Sequence, residues 1–128
     1  MLSDRRDANR ALLIMAERIT HQEYVEGIRS RIAQVARLML ENRLSFIEGA
    51  RAICDLQREA DVPHDDADFD AFRGIDSETD ALPVGEVRKL WSESALRRLE
   101  PEIESAERWA RAVATEACVR LMKRFGRC

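Results

Sequence analysis

Apolar residues recur in this chain at every third or fourth position, and no useful stretch alternates with period two. That spacing follows the 3.6-residue turn of an α-helix and excludes a fold built from half-buried strands. Val25, Ile28, Ile32, Val35 and Met39 succeed one another at steps of three, four, three and four. Such a stripe is what a helix turns toward a partner helix. Ile47, Ala50, Ile53, Cys54 and Gln57 form a second stripe, and Val87, Leu90, Trp91, Ala95 and Leu99 a third. A long fourth stripe runs through Ile103, Ala106, Ala110, Val113, Ala117, Leu121 and Phe125.

Capping residues divide these stripes into helices. Ser3, with Asp4 and Asp7 behind it, suits a first helix whose apolar side holds Leu12, Ala16 and Ile19. Thr20 and Glu23 have the spacing of a capping box, so a new helix begins at His21 or the first one bends there. Ser45 and Glu48 repeat the box. Gly49, one turn later, is small enough to let another backbone approach, and Pro63 stops the helix near Ala60. Pro101 fits the first position of a last helix that Gly126 ends. Arg120, Arg124 and Arg127 share a face at its end, where they meet phosphate, meet acids of this or another chain, or stand in solvent.

Between the helical halves lies an acidic connector, residues 61–83. From Asp61 to Asp80 it holds eight acids against one base, Arg73, a local charge of −7. The whole chain carries −3, so the remainder is +4. Asp66 to Arg73 has room for two helical turns, with Phe69 and Phe72 on one face and Gly74 as the stop. Ile75 to Gly85 reads as an ordered loop anchored by Ile75, Leu82 and Val84. At 128 residues the chain fits one domain with one core. The expected architecture is all-α: a bundle of four to five main helices with a short helix in the acidic connector.

The connector is also the candidate partner-binding surface. Asp65, Asp66, Asp68, Asp70, Asp76, Glu78 and Asp80 would steer a basic protein, and Phe69 and Phe72 would anchor it. The plainer reading is a solvated loop whose two phenylalanines cover the core. Asp66, Asp68 and Asp70 match the first ligands of a calcium loop, but Ala71 and Ser77 stand where that loop needs Gly and Glu. Glu23 with Glu26, and Glu104 with Glu107, each place two acids on adjacent helical turns. All-helical nucleotide hydrolases hold magnesium with such pairs, yet the further acidic motif they need is missing. Ordinary exposed glutamates explain both pairs. His21 and His64 have no metal-ligand or catalytic spacing, and His21 reads as a surface partner of Glu17. Trp91 and Trp109 read as core anchors.

Other function classes recede on bulk properties. A mildly acidic chain lacks the basic surface that nucleic acid demands. The apolar run from Ala11 to Ala16 is too short for a signal peptide or a membrane span. Cys54, Cys118 and Cys128 are odd in number and show no paired spacing, which points to reduced thiols and a cytoplasmic protein.

Ile47-Glu48-Gly49-Ala50-Arg51, the segment Ser77 to Pro83, Trp91, and Pro101-Glu102-Ile103 resemble a family of short bacterial all-helical proteins of unknown function. The likeness spans about Ile28 to Ala117 and implies a bacterial, helical, stand-alone protein. The functional expectation is a non-enzymatic protein-binding module, in the manner of an immunity-type inhibitor of a basic partner. No catalytic residue, metal ligand or cofactor is expected, and neither nucleic acid nor membrane as a partner. The alternatives are a metal-dependent nucleotide hydrolase using the glutamate pairs, and a structural homodimer formed by the long C-terminal helix.

Overall fold

The computed structural model describes residues 2–126, with side chains at positions 9, 10, 12, 13 and 20–126. Four α-helices account for most of it: α1 (Leu2–Leu40), α2 (Phe46–Glu59), α3 (Asp70–Thr79) and α4 (Glu93–Phe125). Two 3-10 turns, Ala67–Phe69 and Gly85–Leu90, join them. The fold is the expected all-α bundle with a short helix in the connector.

α1 and α4 are the two long struts and pack most extensively on each other. They run antiparallel, since Arg29 lies over the Phe125 ring while Cys118 meets Met39 ten residues farther along α1. The Val25–Met39 stripe is buried as expected at Val25, Ile28, Ile32 and Met39. Ala33 and Ala36 join it and let the neighbouring helices come close. Among described side chains of α1, burial begins at Val25. Leu12 is 63% exposed, against its expected place on a buried stripe. The positions Ser3, Asp4, Asp7, Ala16, Glu17 and Ile19 lie outside the described side chains, and Arg127 and Cys128 outside the described residues.

Three boundaries differ from the sequence reading. Thr20–Glu23 is not a cap: α1 runs through it without interruption. A capping box stops nothing when the preceding carbonyls are already placed to accept its N–H groups. The second difference is α4, which starts at Glu93 and carries Pro101 inside it rather than at its first position. Its cap is Ser92, whose hydroxyl accepts from Ala95 N–H at 3.2 Å. The helix expected from Glu86 to Leu99 is therefore divided: its first part is the 3-10 turn Gly85–Leu90, its remainder from Glu93 is the start of α4, and Val87, Leu90 and Trp91 are exposed rather than buried. The third is the connector, where α3 passes through Gly74 and continues to Thr79. Burial of Phe72 and Ile75, both fully enclosed, outweighs the roughly 1 kcal/mol that a helical glycine costs.

On α4 the buried line is Ala110, Ala114, Ala117, Cys118 and Leu121. Val113, expected in that seam, is 41% exposed, because the line turns through Ala114 instead. The second helix behaves as read: Ile47, Ala50, Ile53 and Gln57 are buried, and Ala60 caps its C-terminus three residues before Pro63. Gly49 faces Met39, but the neighbour it admits is that side chain and not a backbone.

Candidate functional site

The connector folds back onto the bundle. Pro63 and the left-handed Asp61 (φ 53°) turn the chain after α2, and Asp66 caps the first 3-10 turn by accepting from Asp68 N–H at 3.0 Å. The turn delivers Phe69 into the core, where it lies 6.4 Å from the Phe125 ring. Phe69 and Phe72 are both 0% exposed. The expectation that they anchor a partner is thus corrected: an apolar ring beside four described helices gains more from burial in its own core than from waiting in water.

The connector's carboxylates separate into two groups. Asp66 and Asp68 are bound within the chain. Arg124 donates to Asp66 at 3.0 Å and to Asp68 at 2.9 Å, and Arg120 Nε stands 3.4 Å from Asp68. The Arg124 hydrogen bond, above all, holds the Asp66 carboxyl below the usual carboxylate range. Arg120 and Arg124 therefore meet the acidic connector of their own chain. Asp70 pairs with Arg73, Asp76 approaches Arg51 at 4.0 Å, and Asp61 approaches His21 at 3.4 Å. His21 faces the connector, while its expected partner Glu17 lies outside the described side chains. Asp65, Glu78 and Asp80 form the second group and are exposed.

Glu78 borders a surface hollow of about 340 Å³ between the end of α3 and α4, with Thr79, Glu102, Ser105, Ala106 and Trp109. Trp109 is 41% exposed, and Val113, one turn along α4, is exposed to the same degree. Trp91 is equally open, so neither tryptophan is the core anchor the seam suggested. The signal for Trp109 was its position beside Ala110, one step off the buried line. An aromatic residue held half-open in a hollow shared with Glu78 and Glu102 is the arrangement that Phe69 and Phe72 were expected to supply.

Arg51 fixes the edge of this hollow. Its guanidinium donates to the carbonyls of Thr79 and, at 3.1 Å, of Leu82. Thr79 is buried and donates its hydroxyl to Ile75 at 2.6 Å. Two segments distant in sequence, around Arg51 and from Ser77 to Pro83, are thereby locked into one corner that presents Glu78 outward.

The two glutamate pairs do not meet. Glu23 and Glu26 line a shallow hollow on α1 with Gly27 and Ser30. Glu104 and Glu107 border a different one beside the Gly85–Leu90 turn. Because Arg29 lies at Phe125, Glu104 sits about 31 Å farther along the bundle, at 1.5 Å per residue. Glu107 is, besides, engaged structurally: it accepts from Phe46 N–H at 2.6 Å and Ile47 N–H at 3.2 Å. Among the described residues no group of three His, Cys, Asp or Glu side chains is placed to hold a metal ion. The Cys118 thiol is pushed up to about 12 by burial, and Cys54 to about 11 by burial and then by Asp76 and Asp55. Both thiols stay protonated and make poor nucleophiles at neutral pH. No described helix is long and apolar enough to cross a membrane. Compared with known proteins, the chain matches no family model, no curated protein and no solved structure.

Proposed function

We propose that this chain is a non-enzymatic binding module for a basic protein, in the manner of an immunity-type inhibitor. The contact surface is the acid-rimmed hollow at the α3–α4 corner rather than the whole connector. Trp109 is the anchor, Val113 extends it, and Glu78 and Glu102 supply the charge that selects a cationic partner. Asp65 and Asp80, both exposed, add to the field that steers it. The observation that carries this reading is the half-open tryptophan in a hollow it shares with two carboxylates, since aromatic residues with a polar surround dominate binding at protein interfaces.

The test is capture of basic proteins by the immobilised full chain, beginning with any basic protein encoded beside it. Wild type is expected to retain its partner at low salt and release it at roughly 0.5 M, where charges are screened within a few ångströms. Trp109→Ala and the pair Glu78→Gln/Glu102→Gln should each lose it. Retention by both variants, at either salt, rules this surface out.

A homodimer is the second reading, favoured by the same open Trp109–Val113 stripe on α4. A second copy covering that stripe would give sedimentation as a dimer that Trp109→Ala converts to a monomer.

A further inference from the structure

A second hollow, of about 240 Å³, opens on the other side of the connector, between the last turns of α2 and the body of α3. The fold produces it directly. Asp61 and Pro63 swing the chain away from α2, and α3 returns alongside at a distance set by Phe72 and Ile75. Arg58 comes from α2, His64 from the turn, and Arg73 and Asp76 from α3, with Cys54 and Val62 supplying apolar wall.

The charges there differ from the rest of the connector. Arg73 is the one base among eight acids, and it borders this hollow. Its Nη2 donates to Asp70, but its Nη1 is buried and meets no acceptor among the described residues. A buried donor without an acceptor is unfavourable, and more so when it is charged. The acids nearest in sequence are drawn toward other arginines. Asp66 and Asp68 turn to Arg124, and Asp76 leans toward Arg51 at 4.0 Å. Gln57, also on the wall, uses its amide on the Pro63 carbonyl at 2.9 Å. Donors outnumber the one carboxylate on the wall, Asp76: one unmet guanidinium nitrogen, a second guanidinium at Arg58 and an imidazole at His64. The neighbouring Cys54 thiol is held protonated, so the site offers binding and no covalent chemistry.

We infer that this hollow binds a small molecule through an oxyanion, a carboxylate or a phosphate group, received by Arg73 Nη1 with Arg58 and His64 beside it. The guanidinium holds Asp70 through one nitrogen and offers the other to an anionic oxygen, which the single nitrogen of an ammonium cannot do in the same geometry. The body of such a ligand would rest on Val62 and Cys54. This site shares no residue with the Trp109 surface, so either proposal can fail alone.

The experiment is titration of the full-length protein at constant ionic strength, in separate arms with inorganic phosphate and with acetate, followed by calorimetry and by backbone amide shifts. Saturable binding of at least one anion is expected, with shifts confined to the turn around His64 and to Arg58 and Arg73. Phosphate alone identifies a phosphate-bearing ligand, and acetate alone a carboxylate. Arg73→Met should weaken binding about tenfold, the loss of one charge-assisted hydrogen bond. Arg73→Lys, which keeps the charge but has one nitrogen to share between Asp70 and the anion, should fall between. Arg120→Met should leave binding unchanged. Absence of saturation with both anions in the wild-type protein overturns the inference. So do shifts centred on Asp66, Asp68, Arg120 and Arg124, or equal affinity in Arg73→Lys and wild type.

Discussion

The first turn of α2 has N–H groups that its own carbonyls cannot reach, and two residues satisfy them. Ser45 Oγ accepts from Glu48 at 3.0 Å, and the Ser45 carbonyl accepts from Gly49 at 2.8 Å. Glu107 takes Phe46 and Ile47. A carboxylate at a helix N-terminus also meets the positive end of the dipole. Glu107→Ala should therefore destabilise the protein by about 2–3 kcal/mol, as expected for charge-assisted bonds broken in a half-buried place. Ser45→Ala should cost about 1 kcal/mol. Urea denaturation measures both, and a smaller loss for Glu107→Ala than for Ser45→Ala would refute this ranking. Gly49→Ala illustrates a different constraint. Alanine favours helix, yet its methyl would press on the fully buried Met39, whose Cε would lie at 2.9 Å. Overpacking costs about 1–3 kcal/mol, so the substitution should destabilise despite the better propensity. The Ser45 cap was legible in sequence because its partner is three residues away. Glu107 was not, because its partners are 61 and 60 residues away and no local pattern distinguishes it from a surface glutamate.

Helix stripes were legible where burial is continuous and obscure where a helix runs past its neighbours. The Val25–Met39 and Ile47–Gln57 stripes both face inward as their spacing requires, because each packs along its whole length. Val87, Leu90 and Trp91 have the same spacing and lie exposed, in a 3-10 turn and at its end, outside the main core. Periodicity reports that a face is apolar; it does not report whether a neighbour covers it. Stop signals misled for a related reason. Gly74 and Pro101 penalise a helix without forbidding it, and α3 and α4 continue through both. The penalty at Pro101 should be measurable. The ring removes the hydrogen bond to the Arg97 carbonyl and crowds it, at a cost near 3 kcal/mol relative to alanine. Pro101→Ala should thus slow amide exchange across Glu93 to Glu100, the segment it separates from the buried part of α4. Unchanged exchange there would mean that this segment is held by its packing and not by helix continuity.

Over the whole molecule, the concentration of acid in the connector and of base elsewhere becomes an internal attraction. Asp66 and Asp68 bring the connector onto the C-terminal end of α4, where Arg120 and Arg124 face them. The connector's acidity was plain in the sequence. Its division into bound and open carboxylates was not, since that depends on which helix end it folds against. The pairing makes stability depend on pH in a definite direction. Unfolded, Asp66 titrates near the usual value of about 4; folded, its carboxyl is held lower, chiefly by the Arg124 hydrogen bond. The native state therefore binds the proton less readily than the unfolded chain. Its stabilising contribution is complete above about pH 4 and disappears as pH falls through the depressed folded value. Arg124 is partly open to solvent, so the contribution at neutral pH should be about 1 kcal/mol or less and should shrink in high salt. Asp66→Asn should lower stability at neutral pH by that amount and flatten part of the loss on acidification. Arg124→Met should act similarly, and the double variant should be less destabilised than the two losses added together, because they remove the same interaction. Urea melts from neutral pH downward decide the matter. If Asp66→Asn keeps the wild-type pH slope, the connector is held down by Phe69 and Phe72 alone and the ion pairs at its surface add nothing.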